Sequence, residues 1–117
     1  MTLDEFFAGY DDSRPIFEAL RGTIEDLGSS EIRVTKSQVA FCRKKAFAWA
    51  WIPDRYLHGN HAPLVLTLNF RHRDPSPRWK EIVEPHPGRF THHLELYSTA
   101  DIDDEVRDWL RAAWEAT

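Results

Sequence analysis

The sequence predicts an α+β fold, a two-layer sandwich in which an antiparallel sheet of about five strands carries helices over one face. Three observations point there. Apolar residues recur at helical spacing at both ends of the chain, they alternate with a period of two through the middle, and turn residues cut the middle into short runs. At 117 residues and 42% hydrophobic content, the chain suits one domain spanning 1–117 with an ordinary two-layer core.

Each element has its own signal. Thr2 with Glu5 three residues on is a capping-box pattern opening a short helix that Gly9 ends. Ser13 caps a second helix, with Pro15 in its first turn and Gly28 past its end. Its residues Ile16, Phe17, Leu20, Ile24 and Leu27 share one face. The last helix starts near Ile102 with Asp101 as cap, and Ile102, Val106, Trp109, Leu110, Ala113 and Trp114 form its buried stripe. Asp103, Asp104 and Glu105 suit the positive end of its dipole.

Between the helices Ile32 and Val34, Val39 and Phe41, and Phe47, Trp49 and Trp51 mark three strands. A two-residue loop at Lys36-Ser37 pairs Val34 with Val39 and Ile32 with Phe41. A three-residue loop at Arg43-Lys44-Lys45 pairs Phe41 with Phe47 and Val39 with Trp49. Strict alternation then sends Phe47, Trp49 and Trp51 to the core and Ala46, Ala48 and Ala50 to the other face. Leu64, Leu66, Leu68 and Phe70 give a fourth strand, and His92, Leu94 and Leu96 a fifth. Between these two, Ser76-Pro77 opens a short helix over Trp79, Ile82 and Val83 that Pro85 stops.

On this reading the helices cover one face of the sheet and leave the other open, with a low alanine trough. The open face collects Arg33, Gln38, Arg71, His93, Glu95 and Tyr97, and Lys36 reaches it around the edge. These seven residues are the candidate ligand-binding set. Charge supports the choice: the net −4 divides into −5 over residues 1–28, +5 over 29–100 and −4 over 101–117. The sheet is therefore basic within an acidic chain, and a basic face attracts anions.

Other chemistry is less supported. His92 and His93 are adjacent and point to opposite faces of a strand. His58 and His61 could chelate as a loop pair, but no cysteine or carboxylate completes a four-ligand set, so no metal and no cofactor is expected. His93 and Glu95 share the open face and could act as an acid–base pair, although no nucleophile motif accompanies them. Cys42 lies beside three bases that favour a thiolate, yet it carries no family signature. Nucleic acid is disfavoured, because single-strand binding needs exposed aromatics and this sheet is expected to spend its aromatics on the core. Trp49, Trp51, Trp109 and Trp114 are expected to meet between sheet and terminal helix, with Trp79 closing the edge. The N-terminus has no basic region followed by an apolar run, nothing is long enough to span a membrane, and the single cysteine fits a reducing compartment. Cytoplasmic residence without a membrane partner is the expectation.

Val34-Thr35-Lys36-Ser37-Gln38, the Phe47-x-Trp49-x-Trp51 strand with Pro53 behind it, Ser76-Pro77-Arg78, Thr91-His92-His93-x-Glu95 and Asp101-Ile102-Asp103-Asp104-Glu105-Val106 follow one another along nearly the whole chain. As a set they resemble the bacterial family catalogued as domain of unknown function 5655. The resemblance implies a stand-alone or fused cytoplasmic domain and carries no activity with it. The functional expectation is therefore a binding or interaction module whose basic open face takes a small anionic ligand or a protein partner. The alternatives are an enzyme using His93 and Glu95, and a structural homodimer formed through the open face.

Overall fold

The computed structural model describes residues 1–57 and 59–117. Three α-helices, α1 (Leu3–Phe7), α2 (Ser13–Glu25) and α3 (Asp104–Glu115), accompany six strands. The strands are β1 (Glu31–Val34), β2 (Val39–Cys42), β3 (Ala46–Trp51), β4 (Leu64–Phe70), β5 (Glu81–His86) and β6 (Arg89–Leu96), in the antiparallel order β1-β2-β3-β4-β6-β5. The α+β class holds, with one strand more than expected.

The helix ends follow local chemistry. Thr2 and Glu5 close the capping box, each side chain accepting the other's backbone N–H at 3.1 and 3.0 Å. The first residue of α2 is Ser13, and Asp12 stands at the cap position. Instead of capping, the Ser13 hydroxyl donates to the Pro63 carbonyl at 2.6 Å and ties α2 to the start of β4. Asp103, not Asp101, caps α3 by accepting from the Val106 N–H. Asp101 closes the preceding 3-10 turn, Thr99–Asp101, with Ser98.

The core lies between the sheet and the helices. Phe6 and Phe7 of α1, Phe17, Leu20 and Ile24 of α2, and Val106 and Leu110 of α3 pack on Val39, Phe41, Leu64, Leu66, Leu68, Leu94 and Leu96. Phe17 stacks on Phe41 with centroids 5.7 Å apart.

The first hairpin has the expected register, Ile32 opposite Phe41 and Val34 opposite Val39. The second does not. Phe41 faces Ala48 and Val39 faces Ala50, while Cys42 faces Ala46, so Phe47 is an extra residue in β3. Such a bulge shifts the alternation by one position. Phe47 stays in the core, but beyond it the faces exchange. Ala48 and Ala50 are fully buried, and Trp49 and Trp51 are partly buried on the open face. The alanine trough is therefore part of the core, where the small side chains lie beneath the helix layer.

The segment expected as a short helix over Trp79, Ile82 and Val83 is instead a turn followed by β5. Asp74 organises the turn: its Oδ2 accepts from the Trp79 indole at 2.9 Å and the Ser76 N–H at 3.1 Å. Pro87-Gly88, with Gly88 at φ +75°, then folds β5 back as a hairpin on β6. Pro85 is tolerated because β5 is an edge strand.

The tryptophans also divide differently. Trp79 packs on Trp109 at 4.2 Å, whereas Trp114 lies under the Arg43 guanidinium at 3.8 Å and against Gly28. No helix among the described residues is long and apolar enough to cross a membrane.

The exchanged faces make a direct prediction. Ala48→Glu places a carboxylate without a partner between the Phe41 and Leu68 rungs, so urea unfolding should show a loss above about 3 kcal/mol. Trp49→Ala should cost no more than about 2 kcal/mol, because only partly buried surface is lost. The opposite ranking would restore the uninterrupted alternation.

Candidate functional site on the open face

β4 and β6 build the open face from successive rungs. Thr67 stands opposite His93 and Asn69 opposite Thr91; β4 ends at Phe70 opposite Phe90, and Arg71 and Arg89 follow those two residues at this end of the sheet. Rungs on one face are about 6.7 Å apart along a strand. Trp49 lies opposite Thr67 and Trp51 opposite Val65, which places both indoles beside this ladder.

A hydrogen-bonded chain fixes the floor. The Trp51 Nε1–H donates to Thr67 Oγ1 at 2.9 Å, and Thr67 Oγ1 lies 2.8 Å from His93 Nδ1. The Thr67 hydroxyl, with one lone pair taken by Trp51, still has a hydrogen and a second lone pair to offer, and its contact with Nδ1 fixes the orientation of the His93 ring. Trp51 also meets the His93 ring edge-on at 5.9 Å. One rung further, the Thr91 hydroxyl donates to Asn69 Oδ1 at 2.8 Å, which leaves the Asn69 NH2 as a free donor.

Two adjoining concavities share Trp49 and Asn69. One, of 460 Å³, runs over Trp51, Thr67, Thr91 and His93 to Gln38, Ser37 and Tyr56. The other, of 540 Å³, runs past Phe47 and Phe70 to Lys45, Arg71, His72 and Arg89 and the end of α3. The far wall of the first is anchored. Arg55 donates to the carbonyls of Lys36 and Phe6 and lies over the Phe6 ring, and Tyr56 Oη reaches the Lys36 carbonyl at 3.4 Å.

The seven sequence-predicted site residues separate into groups. Gln38 and His93 meet in the first concavity, and Arg71 lines the second. Glu95 pairs with Lys80 at 3.6 Å and lines neither. Arg33 is exposed on β1 opposite Ala40, Lys36 is exposed at the first hairpin, and Tyr97 is 60% exposed beyond the end of β6. The sequence reading missed Trp49 and Trp51 because the bulge at Phe47 has no marker residue. It missed Arg89 because the Pro87-Gly88 turn was not used to extend β6. Cys42 is buried, which removes a reactive thiol from the surface. The His58–His61 pair involves His58, which lies outside the described residues. Among the described residues no group of three metal-ligating side chains converges.

Electrostatics distinguish the two histidines from the carboxylates. Burial pushes His93 below its ordinary value, opposed only by Glu81 opposite it on β5. His92, on the core face, is likewise pushed down by burial. Its Nε2 accepts the Asp74 N–H at 3.0 Å, so Nδ1 is the protonated nitrogen and faces the Phe90 carbonyl at 3.1 Å. Burial raises the Asp74 carboxyl, but the bonds from Trp79 and Ser76 outweigh it and hold the group low.

Fold and site together define a small α+β domain with a helix-covered core on one side of its sheet, an aromatic-floored concavity on the other, and an adjoining cation-lined concavity at the end of the sheet beside α3. The profile of the family described as Domain of unknown function (DUF5655) matches residues 3–117, and the chain belongs to that family. No curated protein and no solved structure gives a significant match.

The lowered histidines set a pH dependence. A folded-state value below the ordinary 6.5 means that the neutral form is favoured by folding, so the stability gained is complete above pH 6.5 and is lost as pH falls below it. Urea midpoints should therefore drop between about pH 7.5 and about pH 5.5, and His93→Gln should flatten part of that slope. A slope identical in wild type and variant would remove His93 from this account.

Proposed function

We propose that this domain is a binding module whose ligand is an anion with an apolar body, held in the open-face trough. The observation that carries the reading is the rim: the side chains of Lys45, Arg71 and Arg89 line one end of the trough and make no ion pair or hydrogen bond among the described residues. Arg71, one residue past β4, and Arg89, the first residue of β6, line the same concavity, and like charges held near each other repel. An anion between them removes the repulsion and gains charge-assisted hydrogen bonds. The negative end of α3 nearby is partly neutralised, because both Arg43 and the Thr117 hydroxyl donate to the Trp114 carbonyl.

The acid–base alternative has less support. Glu95 is turned to Lys80, and the His93 Nδ1 is occupied by a threonine whose oxygen already accepts from Trp51. No carboxylate therefore orients the imidazole as an acid–base pair would require.

Amide and indole NMR shifts on titration with naphthalene-1-sulfonate test the reading. Shifts at the Trp49 indole, Arg71 and Arg89 are expected, weakened about tenfold in affinity by Arg71→Gln with Arg89→Gln. Without the probe, Arg71→Gln alone should raise the melting temperature, since it removes like-charge opposition. Shifts elsewhere only, or none at millimolar probe, would overturn the proposal.

A further inference from the structure

We infer that the anion is a nucleoside phosphate, presented either as a free nucleotide or as the 5′-phosphorylated end of a single strand. The inference rests on the anion-binding reading and adds to it a planar, hydrogen-bonding ring beside the phosphate.

Three features of the trough select that shape. The first is unclaimed aromatic surface. Trp49 is partly buried and lines both concavities, it makes no ring–ring contact among the described residues, and its indole N–H has no acceptor there. A base stacks on such a surface whatever its identity. This also removes the reason for disfavouring nucleic acid, which assumed that the sheet's aromatics face the core.

The second is a row of fixed polar groups beside that surface. Among the described residues Asn69 is oriented by Thr91 and keeps its NH2 unclaimed, and His93 is oriented by Thr67 and keeps its Nε2 edge unclaimed. An amide and an imidazole with set directions match the polar atoms on a base edge better than they match a hydrocarbon body. A fatty or simple aryl carboxylate would leave both without partners in the site, which costs affinity.

The third is adjacency. The concavity over Thr67, Thr91 and His93 and the one lined by Arg71 and Arg89 share Trp49 and Asn69. A ring over Trp49 with its edge at Asn69 and His93 brings a 5′-phosphate towards the two guanidiniums, with Lys45 on the same rim. Arginine pairs suit phosphate because the planar fork donates two parallel bonds. The cations cluster at one end instead of following the whole face, which fits one phosphate rather than a long backbone track.

Isothermal titration and tryptophan fluorescence with four probes test this: AMP, adenosine, ribose 5-phosphate, and a trithymidylate with and without a 5′-phosphate. AMP should bind at least about tenfold more tightly than adenosine or ribose 5-phosphate, the scale of one base–aromatic contact or one phosphate. Trp49→Ala should bring AMP down to ribose 5-phosphate, Trp49→Phe should retain most of the difference, and Arg71→Gln with Arg89→Gln should bring AMP down to adenosine. Far-UV dichroism of each variant separates lost binding from lost folding, and the phenylalanine variant keeps the test valid if the alanine variant unfolds. A 5′-phosphorylated trinucleotide tighter than AMP assigns the strand end as the source, and a weaker one assigns the free nucleotide. Equal binding of ribose 5-phosphate and AMP would overturn the inference while leaving anion binding standing. Binding of none of the four, with naphthalene-1-sulfonate still shifting the trough, would likewise refute the nucleotide alone, whereas silence from that probe too would remove both.

Discussion

Phe47 is the residue on which the arrangement of both faces turns. Because it stands unpaired between the Cys42–Ala46 and Phe41–Ala48 rungs, β3 enters the sheet in one phase and leaves it in the other. Ahead of the bulge the phenyl ring is buried, and behind it the two alanines are buried and the two indoles emerge. Small side chains in the middle of a central strand leave room for the helix layer, and Ala48 and Ala50 belong to one buried cluster with Phe6, Phe17, Phe41 and Leu20. The same shift supplies the open face with two indoles at the centre of the sheet. Core density and the aromatic floor are thus two consequences of one inserted residue.

A second constraint holds the far edge. Asp74 receives the Trp79 indole and the Ser76 N–H on its carboxylate and gives its own N–H to His92. Trp79 closes over His92 at 4.8 Å and Trp109 at 4.2 Å. Arg78 then clasps Asp103 and Glu105 at 2.9 Å and the Asp101 carbonyl at 3.1 Å, joining the turn to the start of α3. These exposed ion pairs are individually weak. Their role is geometric: they hold residues 74–80 in a turn, so that β5 is free to pair with β6 and to set Glu81 opposite His93.

The legible and illegible parts of the fold divide along the same lines. The helices at both ends, the first hairpin and the strands at Leu64–Phe70 and His92–Leu96 are governed by contacts within a few residues or by unbroken periodicity, and those are visible in a sequence. The second hairpin was misread because a bulge without glycine leaves no trace, and a one-residue slip exchanges faces. The Trp79–Val83 segment was misread because its fate depends on Asp74 and Asp103, partners outside its own window. Of the site, Gln38, Arg71 and His93 were legible from strand parity. Trp49 and Trp51 were hidden by the slip; Arg33 and Glu95 sit on strands, opposite Ala40 and Val65, while Lys36 and Tyr97 lie beyond the strand ends, and neither concavity reaches any of the four.

The charge distribution gains meaning only once the faces are assigned. The central segment carries +5 in a chain of net −4, and several of its cations have structural occupations. Arg43 covers Trp114, Arg55 holds the loop after β3 to α1, Arg78 clasps α3 and Lys80 meets Glu95. What remains at the trough is Lys45, Arg71 and Arg89, at the one end of the sheet where no carboxylate of the described residues pairs with them. An acidic domain has nineteen carboxylate side chains from which to supply a partner, and a single nearby Asp or Glu would relieve the repulsion between two neighbouring guanidiniums. The fold neutralises Arg78 twice over, yet leaves these three cations without a carboxylate partner among the described residues, beside a fixed amide, a fixed imidazole and an indole that stacks on no other described ring.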